Sequence, residues 1–243
     1  MGMVKNSFEV EQLRQAGHLS GLIVAELGKL ACPGISAADI DTRAWELCRE
    51  HGVEPTFYGY EGYEYATCVS VNDEVVHSLP TADKVFAEGD LIKIDFGARY
   101  NGYCADHCRT FAVGKISAER ARLLQVGQAA TFNAVAQAQA GKCIGDVSWQ
   151  MQHTAQQAGF DVVKMYVGHG IGKKMHEQPE VPAFGEPGTG PILKENMVIC
   201  VECQVVEGSD QIVHEKDGWT TRTTDGGWAV MFEQMIRITS GNP

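Results

Sequence analysis

EGDLIKIDFGARYNGYCADHCRTFAV, residues Glu88–Val113, reads as a β-hairpin with an acid in each arm. Asn101-Gly102 separates two runs of strand character, and a two-residue turn needs two residues that accept positive φ. Before the turn, Ile92, Ile94 and Phe96 alternate with Leu91, Lys93 and Asp95; after it, Cys104, Asp106 and Cys108 share one face. A two-residue turn sets Tyr100 opposite Tyr103, which puts Asp95 opposite Cys108 and Asp106 opposite Gly97. The two aspartates are then diagonal neighbours on one face, about 7–8 Å apart at Cα and within joint reach of a cation. Taken alone, the pattern also describes two solvated carboxylates on an exposed sheet.

A second copy separates these readings. Gly34 and Gly141 are 107 positions apart, as are Asp39 and Asp146, Gly52 and Gly159, and Asp95 and Glu202. Leu91-Ile92-Lys93-Ile94-Asp95 matches Val198-Ile199-Cys200-Val201-Glu202 in pattern. The chain reads as a duplicated α+β unit with an acid at the same point of the same strand in each half. Acids that meet between two such halves repel one another unless a cation neutralises them.

Composition narrows the class. The 243 residues carry a formal net charge of −11, which argues against a nucleic-acid or anionic-membrane surface. No run of about 18 apolar residues marks a membrane span, and the N-terminal stretch lacks the apolar centre of a signal peptide. Eight cysteines in such a chain read as free thiols in a reducing compartment, so a cytoplasmic location is expected. The nearest thing to a zinc-finger pair, Cys200 and Cys203, lies within an expected strand and has no second pair to complete one. A single domain spanning 1–243 is expected, with halves of about 1–115 and 116–243.

Local signals fill in the plan. Asn6 with Glu9 forms a capping box that opens a helix to about Leu30, and Ser36 with Asp39 opens another to about His51 that ends at Gly52. An aromatic-rich loop, Glu54–Tyr65, precedes short strands at Thr67–Val71 and Val75–Val76 and then the hairpin. In the second half, Ser117 opens a helix to about Ala140, and Asp146 caps the next, which Gly159 ends. A strand over Val162–Val167 leads into a loop, GHGIGKKMHEQPEVP. Strands at Val198–Val206 and Val230–Thr239 carry Glu202 and Glu233.

Asp95, Asp106, Glu202, Glu233 and the single imidazole of His169 make an oxygen-rich donor set. It suits two divalent ions better than a closed thiolate zinc site. Two cations bridged by carboxylates are the equipment of hydrolysis by an activated water.

Gly168–Pro179 (GHGIGKKMHEQP), the IDFG run at Asp95, the aspartate eleven residues on, Val71–Pro80 (VNDEVVHSLP) and Asp217–Thr239 (DGWTTRTTDGGWAVMFEQMIRIT) resemble the type I methionine aminopeptidases. The resemblance covers nearly the whole chain. It implies the duplicated pita-bread (creatinase/aminopeptidase) fold shared with prolidases: a curved antiparallel sheet covered by helices, in pseudo-twofold halves. It also implies two divalent metal ions (Co, Mn, Fe or Zn). Asp95 would hold one ion, His169 and Glu202 the other, and Asp106 and Glu233 would bridge them. Glu202 would further act as general base, while His77 and His176 would bind the substrate peptide group and stabilise the tetrahedral intermediate. Tyr60, Tyr63, Cys68 and Trp219 would surround the methionine side chain. The expected substrates are N-terminal Met peptides or nascent polypeptides with a small second residue, acted on by a monomer.

Five residues depart from the family pattern: Phe57, Val76, His107, Met175 and Cys203. Cys104, Cys108 and Cys200 share strand faces with Asp106 and Glu202; they read first as small buried hydrophobes, and the alternative is that one or more of these thiols lies near the metals. The competing readings are an Xaa-Pro peptidase of the same fold and a non-catalytic binding homologue.

Overall fold

The computed structural model describes residues 3–241; the ends of the expected 1–243 unit (Met1, Gly2, Asn242 and Pro243) lie outside the described residues. Helix α1 spans Ser7–Leu27 and starts at the expected capping box, with Asn6 Oδ1 accepting from Glu9 N and Glu9 Oε2 from Asn6 N. It loses α geometry one turn earlier than expected. Gly28–Leu30 forms a 3₁₀ turn, with Gly28 packed so tightly on Phe111 that a Cβ there would lie 2.1 Å from the ring. Helix α2, Ala37–His51, stops at Gly52 in the left-handed region, φ +66°.

The strands of the first half are β1 (Glu54–Pro55), β2 (Cys68–Val71), β3 (Glu74–Val76), β4 (Leu91–Tyr100) and β5 (Tyr103–Ala112). The second half begins with α3 (Ala118–Gln137) and α4 (Ile144–Gln157), and continues through β6 (Asp161–Val162), β7 (Val167–Gly170), β8 (Glu177–Pro182) and β9 (Val198–Val206). It ends with β10 (Ile212–His214), β11 (Thr221–Thr223) and β12 (Ala229–Arg237).

The duplication extends to individual hydrogen bonds. Asp39 Oδ2 accepts from Ser36 N at 2.8 Å, and Asp146 Oδ2 accepts from Cys143 N at 2.8 Å. Asp146 is therefore the third residue of α4, reaching back to the cap, rather than the cap itself. Gly34 and Gly141 share φ values of +89° and +93°, and Gly52 and Gly159 share +66° and +79°.

The principal sheet runs β1-β4-β5-β12-β9-β7-β8, with β2 also paired to β4 and β6 to β9; β10, β11 and β3 form a small separate sheet. The hairpin takes the two-residue turn, so Tyr100 faces Tyr103, Asp95 faces Cys108 and Gly97 faces Asp106. Ile92, Ile94 and Phe96 turn toward α1 and α2 and pack with Ile23, Val24, Leu27 and Ile40. Ile199, Val201, Cys203 and Val205 do the same with Leu123, Ala134, Val147 and Met151 beneath α3 and α4. Each fully buried aliphatic or aromatic side chain contributes about 1.5–3 kcal/mol. The pleat then directs Asp95 and Glu202 to the opposite, shared face. The halves meet between β5 and β12, where only Glu233 and Cys108 pair in register. Thr110 stitches this seam: its Oγ1 donates to Met231 O at 2.8 Å and accepts from Met231 N at 2.9 Å.

Two expectations in the second half differ from the structure. The Val162–Val167 strand is interrupted, β6 ending at Val162 and β7 starting at Val167. The expected loop from Gly168 is largely a hairpin of β7 on β8, with an irregularity between His169 and Gly170 and a cis Gln178–Pro179 bond. Its glycines and prolines mask the alternation that marks a strand.

Candidate metal centre and active site

Five side chains converge from five strands. Asp95 comes from β4, Asp106 from β5, His169 from β7, Glu202 from β9 and Glu233 from β12. Glu233 lies directly opposite Glu202 in register. All five are buried, between 2% and 7% exposed. Burial raises the carboxyl pKa values of Asp95, Glu202 and Glu233, and neighbouring acids add to the rise at Asp95 and Glu233. Asp106 is pushed up to about 8 by burial and by Glu202. His169 is held neutral by burial. Its Nδ1–H donates to Gly170 O at 3.1 Å, which leaves the Nε2 lone pair facing Glu233 Oε1 at 3.9 Å and Glu202 Oε2 at 4.0 Å.

The donor atoms form two groups. One ligand atom each from Asp95, Asp106 and Glu233 lie within 4.8 Å of one another, as do those from His169, Cys200 and Glu233. Glu233 belongs to both groups, whereas Asp106, the other expected bridge, belongs to the first alone and Glu202 to neither. Asp95 Oδ1, Asp106 Oδ1 and Glu233 Oε1 are buried without a hydrogen-bond partner, although native proteins pair nearly all such atoms. Buried, unpartnered and mutually repelling oxygens are what a divalent cation neutralises, and neutral His169 completes a donor set of the right chemistry. The residues present fit a metal centre.

Glycines flank His169 for a steric reason. A Cβ on Gly168 would lie 2.3 Å from Cys200 O, and one on Gly170 would lie 2.1 Å from Gln178 O. Both obstacles are backbone and cannot rotate away. Gly170→Ala is expected to destabilise the fold by about 1–3 kcal/mol and to weaken metal affinity, measurable by melting temperature and metal titration.

The cluster opens into a cavity of about 630 Å³ whose lining includes all of the remaining expected site residues: Tyr60, Tyr63, Cys68, His77, His176 and Trp219. His77 holds φ +57°, a left-handed conformation uncommon for a side-chain-bearing residue. Its ring meets Tyr166 edge-on at 4.9 Å. His176 meets His169 edge-on at 4.4 Å, and its Nδ1 lies 3.0 Å from Tyr60 Oη. Burial pushes both His77 and His176 down to about 4, with neighbouring histidines adding to the shift. Tyr63 and Trp219 pack edge-on at 4.8 Å, while the Tyr63 hydroxyl is spent on Thr67 O at 2.8 Å.

The structure sorts the atypical residues. Phe57 and Met175 line the cavity. Val76 packs with Cys108 and Met231, His107 bonds Ser20 of α1 through Nδ1 at 3.2 Å, and Cys203 faces α3 and α4. Of the three thiols, Cys200 reaches the donor set, Cys108 sits opposite Asp95 and Glu233 in register, and Cys104 turns to Lys173 O at 3.5 Å. Sequence reasoning missed Gln204, whose Nε2 donates to Glu202 Oε1 at 2.8 Å. Its position two residues after Glu202 on one strand places it on the same face, and was the available signal. It also missed Tyr166, which carries no local signature.

Residues 11–240 match metallopeptidase family M24. The chain is similar to a methionine aminopeptidase of Clostridium acetobutylicum, 41% identical over 243 residues that cover 100% of this chain and 97% of that protein. Among solved structures it is similar to a methionine aminopeptidase of Thermotoga maritima, with TM-score 0.97, 40% identity and coverage of 98% of this chain and 96% of the other. A prolidase of Pyrococcus furiosus shares the fold alone, with TM-score 0.79, 22% identity and coverage of 99% of this chain but 64% of that one. With its cage of acids and one imidazole at the junction of the two halves, the chain belongs to metallopeptidase family M24, on its methionine aminopeptidase branch.

Proposed function

We propose that this chain removes the N-terminal methionine from polypeptides with a small second residue, using two divalent cations held by Asp95, Asp106, His169, Glu202 and Glu233. The observation that carries the reading is the pair of donor groups sharing Glu233. Cations bound there supply an acidified water and Lewis-acid polarisation of the scissile carbonyl.

The chain's own groups do the rest. Gln204 occupies Glu202 Oε1, so Oε2 is the oxygen free to take a proton from the attacking water and hand it to the leaving amine. With cations bound beside it the Glu202 carboxyl would be ionised, so Oε2 has the lone pair that this proton needs. His77 and His176 are neutral at pH 7 and donate N–H bonds to the substrate carbonyl as negative charge develops. Tyr60 O–H donating to His176 Nδ1 fixes the tautomer with Nε2–H free to donate. Phe57, Tyr63, Cys68 and Trp219 offer the thioether of methionine aromatic and sulfur contacts. Cys200 adds a sulfur atom to the His169 side of the cage and favours softer ions there. We take the working form to be a cytoplasmic monomer. No described helix is long and apolar enough to cross a membrane.

The test is metal-depleted protein reconstituted in turn with Co, Mn, Fe and Zn and assayed on Met-Gly-Met-Met and on Xaa-Pro dipeptides. Methionine release with at least one ion and no dipeptide cleavage is expected. Dipeptide cleavage alone would move the chain to the prolidase activity, and metal-replete protein inert on both would leave a binding protein.

A further inference from the structure

The segment upstream of α1 reaches the active site through one buried ion pair. Lys5 Nζ lies 2.5 Å from Glu177 Oε2, with the two side chains 4% and 11% exposed. Glu177 is the residue after His176 and the first of β8. Its other oxygen, Oε1, accepts from Lys174 N at 3.2 Å. One carboxylate thus closes the turn between β7 and β8 with one oxygen and is anchored to the chain start with the other. The fit is tight from the far side as well: a Cβ on Gly172 would lie 2.5 Å from Glu177 Oε1 and 2.6 Å from Lys5 Nζ. Lys5 is itself fixed, its amide donating to Asn196 O at 2.9 Å.

His176 needs such support. Its imidazole is held in the cavity by Tyr60 Oη and by the edge of the His169 ring. Its backbone belongs to a turn whose two strands already slip register beside His169. A surface ion pair contributes little, but removing one partner of a buried pair strands the other charge without solvent. Without Lys5, the Glu177 carboxylate, which lines the cavity, turns to the water there and draws the turn, and His176 with it, out of place.

We infer that Lys5 is a positioning residue for His176, acting through Glu177 and the turn between β7 and β8. The inference rests on the role given to His176 above. The experiment compares Lys5→Met, Lys5→Arg, Glu177→Gln and His176→Ala in the metal-loaded protein. Ser117→Ala, which removes the cap of α3 at a residue outside the cavity lining, serves as a stability control. Lys5→Met is expected to lower kcat on Met-Gly-Met-Met by about 10–100-fold, the scale of a misplacement of about 1 Å, with KM changed less than about threefold. Lys5→Arg is expected to restore most of the rate. Glu177→Gln combined with Lys5→Met should cost no more than either alone, as for residues acting as one unit. A kcat for Lys5→Met within about twofold of the parent, or a loss matched by Ser117→Ala at equal melting temperature, overturns the inference. Undiminished kcat in His176→Ala removes the reading beneath it. An inactive His176→Ala beside a normal Lys5→Met removes the inference alone.

Discussion

Glu202→Gln is expected to lower kcat for methionine release by about 10³-fold, within the range for loss of a general base. The substitution keeps the shape of the side chain and the oxygen that Gln204 holds. It replaces the oxygen that would carry the proton with an amide that has no basic lone pair at neutral pH. KM for the peptide should change little, since the methionine side chain would lie against Tyr63, Cys68 and Trp219, elsewhere in the cavity. Metal content should be measured alongside by atomic emission, because Glu202 faces His169 Nε2 at 4.0 Å. A variant that keeps its metal and loses its rate assigns the proton transfer to Glu202. A variant with the parent kcat places the base elsewhere.

The second large effect concerns pH and metal together. Burial raises the pKa of all four carboxyls, to about 8 for Asp106. A carboxyl whose folded pKa exceeds its unfolded value binds more protons in the folded state, so stability falls as pH rises between the two values. Metal-free protein therefore loses stability across this window, which for Asp106 runs from about 4 to about 8. A bound cation needs these groups ionised and releases their protons, so its stabilisation must grow with pH. Lys93 contributes an opposite slope: burial pushes it down to about 7, where it donates to Asn72 O and Ala229 O. That slope is common to both forms and cancels in their difference. The rise in melting temperature on adding Co or Mn should accordingly be larger at pH 8 than at pH 6.8. Each pKa unit corresponds to about 1.4 kcal/mol, or about 3–6 °C in a chain of this size. A metal-induced shift that is flat or falls over this range would show that the acids do not bind the cation.

The centre of the molecule was legible because local signals there are redundant. Asn101-Gly102 fixes the turn, alternation fixes the faces, and together they give the register of Asp95 and Asp106 to the residue. The 107-residue repeat then carries the same reading to Glu202. The hairpin of β7 and β8 was not legible, because Gly168 and Gly170 are there for close backbone approach, Gly172 leaves room for the Lys5–Glu177 pair, and none of them supplies a side-chain pattern. Strand faces grouped Cys104 with Cys200, yet only depth along the strand decides which thiol meets the acids, and sequence does not encode depth. Lys5 and Glu177 are 172 residues apart, so nothing near either one announces the other. Asp41 is similar: its Oδ1 accepts from Ala66 N, Thr67 N and Thr67 Oγ1 and so sets the start of β2, while in sequence it reads as one more acid on a helix.

The seam between β5 and β12 has a mechanical consequence. A ladder bonded along its length resists shear, but β5 and β12 share one registered pair and the Thr110 stitch, while β3 on β11, Lys93 on Ala229 and Lys5 on Glu177 tie the halves away from that line. Small rotations about that line change the gap between Asp106 and Glu233 while the ladders within each half stay intact. The gap between Asp106 and Glu233 is therefore held by side-chain and rim contacts more than by a continuous ladder of backbone bonds.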